Sequence, residues 1–353
     1  MNKLKLGVIF GGMSTEHDVS IVSATSVIES LNKEKYDIFP IYIDTDGKWY
    51  KYTKNVDNIK ILNIGEKLEE LEIINNPINI LQNIDVVFPV LHGLYGEDGT
   101  IQGMLKMLNI PFVGCDVLSS SISMDKVYTK MAFEKADLLQ TKYIYVKQEK
   151  DNLILFDEKF NSIPSSIANV IKEVENKLKY PVFVKPSNSG SSVGINKAVD
   201  KTSLKDAIND ALKYDTKILI EQGIIGRELE CAIFEDNGEI TVSCVGEIIT
   251  NNNFYDYDTK YIDNTAKLEI PAQIPSEIQD KVKEIAKKAF RVVDGRNIAR
   301  VDFFLDKDNN IYINEINTMP GFTSISMYPK LFEYSGIKYT ELLSKLIEAA
   351  MNR

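Results

Sequence analysis

The sequence predicts a protein of combined α/β and α+β class, built from three domains. Apolar strand-like runs alternate with helix-like segments near the N-terminus, and longer strand-like runs joined by turns fill the last third. A length of 353 residues suits two or three domains. We assign 1–118 to an N-terminal open parallel α/β domain, 119–216 to a small central domain, and 217–353 to a C-terminal domain with an antiparallel sheet.

The N-terminal domain is predicted from continuous apolar runs, which are typical of strands buried on both faces of a parallel sheet. In chain order, the predicted elements are strand Leu4–Phe10, helix Val19–Leu31, strand Phe39–Ile43, strand Asp85–Val90 and helix Gly99–Leu108. The polar stretch 51–82 is interpreted as a surface excursion.

The remaining two domains differ in the length of their strand-like runs. The central domain shows a helix over 121–136, a charged connector over 147–166, and a short strand that ends at Lys185. The C-terminal domain begins with strands predicted at Ile218–Glu221, Glu228–Phe234 and Ile240–Ile249. Turn-like pieces such as Asp236–Gly238 join them, which is the pattern of antiparallel hairpins.

Composition limits the partners and the compartment. The formal net charge of -10 argues against a general nucleic-acid binder. Cys115, Cys231 and Cys244 form no CxxC pair, so neither a disulfide framework nor a zinc site is expected, and a reducing compartment fits. The first apolar run is too short for a signal peptide, and no stretch approaches a membrane span. We therefore expect a cytoplasmic protein without a membrane or nucleic-acid partner.

A predicted hairpin near the C-terminus carries the most informative polar pattern. Residues two apart on a strand share a face, so Arg300 lies beside Asp302, and Glu315 beside Asn317. Folding the hairpin brings Asp302 opposite Asn314 or Glu315, a choice of one residue in register. Carboxylate and amide oxygens suit Mg²⁺ with nucleotide phosphates, and an arginine would stabilise a transferring phosphoryl group. A solvated hairpin with salt-bridged charges is the alternative.

The loop Lys185–Gly194 is a second candidate. Lys185 can reach nucleotide phosphates, while Gly190 and Gly194 permit unusual backbone angles and leave N–H groups free to cradle phosphate. The GxxxxGK[ST] spacing is absent, so this is not a Walker A motif. A plain flexible loop is the alternative.

Three further segments place polar groups at strand ends. Glu221–Glu228 could bind the edge of an adenine base and a ribose. His92–Gly99 follows a buried strand, at the end where ligands bind to open α/β sheets. Gly11–Ser20 could place the N-terminus of a helix next to an anion. Exposed glutamates and a structural histidine are the alternatives. No GxGxxG, GxSxG, HExxH or His/Cys cluster is present, so dinucleotide-binding, hydrolase-triad and zinc interpretations have no support.

Taken in order, these motifs resemble the landmarks of the D-alanine–D-alanine ligases of the ATP-grasp superfamily. HGLYGEDGTIQG and NEINTMPGFTSISMYP resemble its two signature stretches, and GVIFGGMSTEHDVS, SMDK, KPSNSGSSVG and ARVDFFL resemble the others. The match covers nearly the whole chain. It implies the ATP-grasp fold and a ligation of two D-alanines through an acylphosphate, with release of ADP and phosphate, for peptidoglycan precursor synthesis.

The resemblance also implies a role for individual residues. Glu16 would hold the ammonium of the first substrate, and Ser191 would orient Glu16 and Tyr261. Arg300 and Gly321 would stabilise the tetrahedral oxyanion. The other residues implied for the amino-acid substrates are Val19, His92, Ser326 and Met327. The implied ATP ligands are Lys126, Lys185, Ser191, Glu221, Ile224, Glu228, Lys260, Phe304 and Asn314. Two Mg²⁺ ions, or Mn²⁺, would be held by Asp302, Glu315 and Asn317.

The second substrate and the assembly are also expectations from the resemblance. A ligase of the same family that uses D-serine or D-lactate is the main alternative. Lys260, Tyr261 and Met327 match the D-alanine type, and the Tyr261 phenol argues against D-lactate. Glu16 and the motif HGLYGEDG argue against the interpretation that the chain is another ATP-grasp carboxylate–amine ligase. The proposed metal ligands Asp302, Glu315 and Asn317 argue against a small-molecule-binding protein of periplasmic type. The partners implied are ATP, D-alanine and a second copy of the chain in a homodimer.

Overall fold

A computed structural model describes residues 3–249, 267–323 and 325–353. The N-terminal sheet has the strand order β4-β3-β2-β1-β5. Its strands are β1 Leu4–Gly11, β2 Tyr36–Ile43, β3 Trp49–Tyr52, β4 Leu71–Ile74 and β5 Val86–Val90. Its helices are α1 His17–Ser30, α2 Pro77–Leu81 and α3 Thr100–Met107, with a 3-10 turn at Val56–Asn58.

The parallel part of this sheet consists of β2, β1 and β5, as predicted. Strands β3 and β4 extend one edge in antiparallel pairing. The prediction for 51–82 as a surface excursion was therefore wrong for β4 and for the end of β3. Both are four-residue strands without a continuous apolar run, because they lie outside the parallel strands and are only partly buried.

The central sheet has the order β10-β9-β11-β6-β7-β8, with every neighbouring pair antiparallel. Its strands are β6 Tyr143–Glu149, β7 Asn152–Phe156, β8 Ser162–Ser165, β9 Val182–Pro186, β10 Asn196–Ala198 and β11 Lys217–Gln222. The helices in this part of the chain are α4 Val117–Met124, α5 Lys126–Lys135, α6 Ile167–Lys177 and α7 Lys201–Ala211.

Two sequence predictions change in this sheet. The charged connector over 147–166 contains β7 and β8. Strand β11 is hydrogen-bonded between β9 and β6, so the domain boundary drawn at residue 217 falls inside the central sheet. The apolar pattern of a strand locates the strand but carries no information about which sheet it joins.

The C-terminal sheet is antiparallel, as predicted, with the order β14-β13-β12-β15-β16. Its strands are β12 Gly226–Asp236, β13 Glu239–Ile249, β14 Lys267–Glu269, β15 Ile298–Asp306 and β16 Ile311–Asn317. The helices are α8 Ser276–Val292, α9 Met327–Tyr334 and α10 Tyr339–Met351. The predicted turn between β12 and β13 is present, and Asn237 and Gly238 have φ values of 50° and 86°, as a two-residue hairpin turn requires.

The hydrophobic core consists of separate clusters, and one of them is shared by the N-terminal and C-terminal domains. One cluster joins the N-terminal sheet to α9 and α10, and within it the rings of Phe88 and Phe322 meet edge to face at 5.3 Å. A second lies between the C-terminal sheet and α8, and a third between the central sheet, α6 and α7. No helix in the described ranges is long and apolar enough to cross a bilayer.

Candidate active site

A cleft between the central and C-terminal sheets collects most of the predicted nucleotide and metal residues. The central part of the chain supplies one wall and strands β12, β15 and β16 supply the other. Gly93 and Glu97 reach the cleft from the N-terminal domain. The predicted residues on the wall are Lys126, Lys185, Ser191, Glu221, Ile224, Glu228, Arg300, Asp302, Phe304, Asn314, Glu315 and Asn317.

The register of the β15–β16 hairpin decides the choice that the sequence left open. Asp302 pairs with Glu315, and Arg300 pairs with Asn317. The register shifts immediately after Asp302, so Asn314 has no partner residue in the ladder and marks a bulge. On the other side, Asp302 pairs with Glu230 of β12. Three carboxylates therefore lie in one row across three adjacent strands.

Arg300 compensates part of this negative charge. Its Nε and Nη2 atoms donate to the two oxygens of Asp302 at 2.8 and 2.7 Å, and Nε lies 2.9 Å from Glu230 Oε2. Asn317 Nδ2 also donates to Asp302, at 3.1 Å. Burial disfavours the guanidinium charge, but the adjacent Asp302 and Glu230 carboxylates outweigh burial and hold the pKa of Arg300 well above its ordinary value.

Sequence analysis missed Glu230 as a site residue. Its side chain is buried, and it lines the cleft. A signal was available, because Glu230 lies two residues after Glu228 on β12 and therefore shares its face.

A second charged cluster lies on the opposite wall. The Glu221 carboxylate contacts Lys185 Nζ and Lys130 Nζ, each at 2.5 Å, and accepts a hydrogen bond from Thr141 Oγ1 at 2.7 Å. Burial opposes the charge of Glu221, but the two ammonium groups outweigh it and hold the pKa of Glu221 well below its ordinary value. Lys130 was also missed. It follows Lys126 by one helical turn on α5, which places both on one face.

The predicted adenine and ribose residues flank this cluster. Glu228 of β12 pairs with Phe304 of β15, so their side chains are neighbours on one face of the sheet. Ile224 lies in the short connection between β11 and β12, beside them on the cleft wall. An apolar ring next to an acid matches the needs of a nucleoside, which offers a flat base and ribose hydroxyls.

The serine-rich loop after β9 is held at several points. Lys126 Nζ donates to the Ser189 carbonyl at 2.5 Å, and the backbone N–H and side-chain amide of Asn188 donate to Asp215 at 2.9 Å each. Ser191 has a φ of 46°, an uncommon backbone conformation for a residue other than glycine. The loop is therefore fixed in shape on the cleft wall.

The two glycines of this loop have different roles. Gly194 has a φ of 73°, in the left-handed region, as predicted. Gly190 is not in that region, so the prediction was wrong for this residue. Its lack of a side chain serves a close approach instead, because a Cβ there would overlap Oε1 of Glu16.

Glu16 lies in the N-terminal domain at the start of α1, between this loop and Gly93. Its carboxylate is buried against Gly93 and Gly190, and Thr15 Oγ1 donates to Oε2 at 2.9 Å. Gly93 and Gly190 both line the cleft, so the buried acid lies directly behind its wall. Val19 is buried in α1 and is not on that wall.

His92 is engaged at both ring nitrogens. Nδ1 is 3.1 Å from the Met319 carbonyl, and Nε2 is 3.0 Å from Ser23 Oγ. Burial lowers the pKa of His92, which favours the neutral ring. The histidine therefore ties the N-terminal domain to the segment that follows β16, and it does not line the cleft.

Glu97 makes a similar connection and was not singled out by sequence analysis. Its carboxyl group accepts hydrogen bonds from the N–H groups of Gly93 at 2.9 Å and Met319 at 3.3 Å. Burial, which outweighs these bonds, raises the pKa of Glu97 to about 8. The motif HGLYGEDG contained the residue, but its burial could not be read from the motif.

The residues predicted for the second substrate lie beyond the cleft wall. Ser326 Oγ accepts a hydrogen bond from Thr323 N–H at 3.0 Å and lies close to Gly321. The Met327 side chain is buried in the core against Gly246. The predicted Lys260 and Tyr261 lie outside the described residues.

The oxygen groups near Asp302 fit a hard divalent cation in their chemistry. Asp302, Glu315 and Asn317 supply carboxylate and amide oxygens on facing strands of one hairpin. Across the described ranges, no group of three or more carboxylate, imidazole or thiol side chains is arranged to hold a metal. This set has two carboxylates and one amide, which suits an ion that also takes phosphate oxygens and water.

Comparison with known proteins agrees with this arrangement. Family models described as D-ala D-ala ligase N-terminus and D-ala D-ala ligase C-terminus match residues 5–115 and 133–348. A D-alanine–D-alanine ligase of Acetivibrio thermocellus is 46% identical over 100% of this chain and 97% of its own length.

Solved structures give the same result. The VanG D-Ala:D-Ser ligase from Enterococcus faecalis is similar with a TM-score of 0.83 and 35% identity, over 99% of this chain and 100% of that one. The D-alanine–D-alanine ligase from Coxiella burnetii follows at 0.81 and 32%, over 100% and 95%. These neighbours have the ATP-grasp fold predicted from the sequence. The chain belongs to the D-alanine–D-alanine ligase family.

Proposed function

We propose that this chain joins two D-alanine molecules at the expense of ATP, for cell-wall precursor synthesis. The terminal phosphoryl group of ATP passes to the carboxylate of the first D-alanine, which gives an acylphosphate and ADP. The amine of the second D-alanine attacks the acyl carbon, loses a proton, and displaces phosphate. The observation that carries the proposal is the cleft in which lysines of α5 and β9 face the carboxylate row and Arg300 of the C-terminal sheet.

The site residues can be grouped by the part of the nucleotide or the reacting group that each would contact. Lys126 and Lys185 bind the phosphates of ATP, with Ser191 and Asn314 alongside. Ile224, Phe304 and Glu228 bind the base and ribose. Arg300 is a fixed cation close to the oxygens that gain charge during transfer, and such preorganised charge is a large part of catalysis in phosphoryl and acyl transfer. These assignments rest on lining and contacts in the cleft.

Mg²⁺ completes this site in the proposal. Asp302, Glu315 and Asn317 would hold two ions, with Mn²⁺ as an alternative. Bound there, the ions would neutralise phosphate charge. Asp302 accepts hydrogen bonds from Nε and Nη2 of Arg300, so metal binding would compete with that ion pair. Glu230 remains within ion-pair distance of Arg300 and would keep it in place.

The amino-acid substrates are proposed to enter beside the N-terminal domain. Glu16 would bind the first ammonium, with Val19 and His92 supporting it, because a buried carboxylate next to the cleft is a strong partner for a cation. The second substrate would meet Gly321, Ser326 and the backbone at Met327. Tyr261 and Lys260 keep the roles proposed from the family resemblance. A homodimer and a cytoplasmic location belong to the same proposal.

A D-alanine–D-serine ligase is the second candidate, because the VanG neighbour carries that name. The two candidates share the fold and the chemistry and differ only in the second amine. Met327 is buried in the core, so its side chain gives no direct contact to decide between them.

Product analysis tests the proposed function directly. The purified chain is incubated with ATP, Mg²⁺ and D-alanine alone, then with added D-serine or D-lactate, and ADP release and product mass are measured. We expect the D-alanyl-D-alanine mass to dominate in every mixture. A dominant mixed product would establish the second candidate, and no ADP release with any mixture would refute both.

A variant of Glu315 tests the proposed metal site in the same assay. Glu315→Gln should reduce turnover at least about a thousandfold, because it removes one of the two carboxylates proposed to bind the Mg²⁺ ions that neutralise the phosphates. Its thermal unfolding should be close to that of the wild type. Glu333→Gln is the matched control, since Glu333 is exposed on α9. Near-normal turnover of Glu315→Gln with its direct binding of Mn²⁺ unchanged would refute the assignment.

A further inference from the structure

A buried cluster of two lysines and one glutamate lies where α5, β9 and β11 meet at the cleft. Lys130 comes from α5, Lys185 from β9 and Glu221 from β11. The side chains of Lys130 and Glu221 are only 4% and 5% exposed, and that of Lys185 is 15% exposed. Burying three charged groups is costly unless each is paired, so these contacts must fix the arrangement.

Each carboxylate oxygen of Glu221 has its own lysine. Oε1 contacts Lys130 Nζ at 2.5 Å and accepts from Thr141 Oγ1 at 2.7 Å, while Oε2 contacts Lys185 Nζ at 2.5 Å. Lys130 Nζ also donates to Thr141 Oγ1 at 3.2 Å. Both oxygens of the carboxylate are therefore held by lysines, and Oε2 keeps a lone pair that could accept a further hydrogen bond.

The register of the sheet explains how Glu221 reaches Lys185. Leu219 pairs with Lys185 across β11 and β9, and Glu221 lies two residues further along β11 on the same face. Diagonal neighbours of this kind are within reach of long side chains. Two ammonium groups and one carboxylate leave a formal charge of one positive unit. Lys185 is the more exposed lysine, so this surplus faces the cleft.

We propose that Lys130 is a positioning residue for nucleotide binding. Lys130 forms an ion pair with one oxygen of Glu221, and the other oxygen holds Lys185 in place toward the phosphates of ATP. Because Lys130 neutralises Glu221, the positive charge of Lys185 remains available to the phosphates. This gives Glu221 an anchoring role in addition to the nucleotide contact predicted from the family resemblance. The inference rests on the proposed function, because it requires that this cleft binds ATP.

Removing Lys130 should weaken nucleotide binding by changing the charge of the cluster, and not only by disturbing its packing. Without Lys130, Glu221 and Lys185 cancel each other, and the formal charge that the cluster offers to a phosphate falls to zero. Replacing Glu221 by glutamine in the same molecule restores one positive unit. The double variant should therefore bind nucleotide more tightly than the single Lys130 variant, although it carries one more substitution.

The experiment measures ADP binding by calorimetry in wild type, Lys130→Met, Glu221→Gln and the double variant. Lys135→Met is the matched control, because Lys135 lies on the same helix with an exposed side chain. We expect about tenfold weaker ADP binding for Lys130→Met, because the cluster loses one positive charge near the phosphates, with the KM for D-alanine unchanged. The double variant should recover part of the loss, and Lys135→Met should match the wild type.

Two results would overturn the inference. One is a Lys130→Met variant that binds ADP as tightly as the wild type, whether or not its thermal stability falls. The other is a double variant that binds more weakly than Lys130→Met, as additive structural damage would produce. Both results presuppose a wild type that binds ADP and joins D-alanine. A wild type that does neither would refute the proposed function itself, and the two failures are thereby distinguished.

Discussion

Among single residues, Glu97 connects the pH of the solution to the stability of the fold. Its pKa in the folded protein is raised to about 8, chiefly by burial, against an ordinary value of 4.5. The folded state therefore binds this proton more tightly than the unfolded chain does. The resulting stabilisation is fully present below pH 4.5, falls as the pH rises, and is lost above pH 8.

The variant Glu97→Gln should remove this dependence, because glutamine cannot ionise. The free energy of unfolding of the wild type should fall relative to the variant by a few kcal/mol between pH 5 and 8, at about 1.4 kcal/mol per unit of pKa shift. Denaturant unfolding at several pH values measures both slopes, with the exposed Glu333→Gln as the control for net charge. Equal slopes in Glu97→Gln and wild type would refute the role given to Glu97.

At the scale of elements, the loop after β9 and the start of α1 form one functional contact. Gly190 belongs to the loop, Glu16 precedes α1, and Gly93 follows β5. The buried Glu16 carboxylate lies against both glycines. Because the same loop lines the cleft, we expect nucleotide binding and the binding of the first D-alanine to be coupled through this contact.

The variant Gly190→Ala should break this contact, because the added Cβ overlaps the Glu16 carboxylate and forces it to move. We expect the KM for the first D-alanine to rise about tenfold or more, a loss of roughly 1.4 kcal/mol in binding. Steady-state kinetics at saturating ATP measure the change.

Gly103→Ala is the matched control for that variant. Gly103 lies inside α3 with open space around its Cα, so alanine there should leave kinetics unchanged and stabilise the helix by up to about 1 kcal/mol. An unchanged KM in Gly190→Ala would show that the close approach to Glu16 has no part in substrate binding.

The elements also show how far sequence reasoning reaches. Alternation along β15 and β16 placed Asp302, Glu315 and Asn317 on one face, because the period of a strand is fixed by its backbone. The bulge at Asn314 could not be predicted, since register depends on the partner strand. Lys130 was missed because its spacing from Lys126 indicates only a shared helix face, whereas its place in the site depends on the tertiary contact with Glu221 of β11.

At the scale of the whole molecule, the N-terminal and C-terminal domains share one core. Helix α10 packs on α1 and β5, and its Leu346 carbonyl accepts a hydrogen bond from the Asn297 amide at 3.0 Å. The same Asn297 accepts from Gly114 N–H at 3.0 Å. The N-terminal and C-terminal domains have separate sheets, but the packing of the last helix joins them into one unit that includes both Glu16 and Arg300.

This shared core predicts how instability spreads. Leu346→Ala removes a fully buried side chain from the shared cluster and should cost about 2 to 5 kcal/mol. Leu204→Ala makes the same change in the separate core of the central sheet and is its control. Hydrogen exchange at the amides of β5 should accelerate in Leu346→Ala and stay near the wild-type rate in Leu204→Ala, because only the first variant loosens the contact of α10 with β5. If exchange in Leu346→Ala rises only within α9 and α10, the two domains open independently, and the C-terminal helices do not hold the first-substrate side of the site in place.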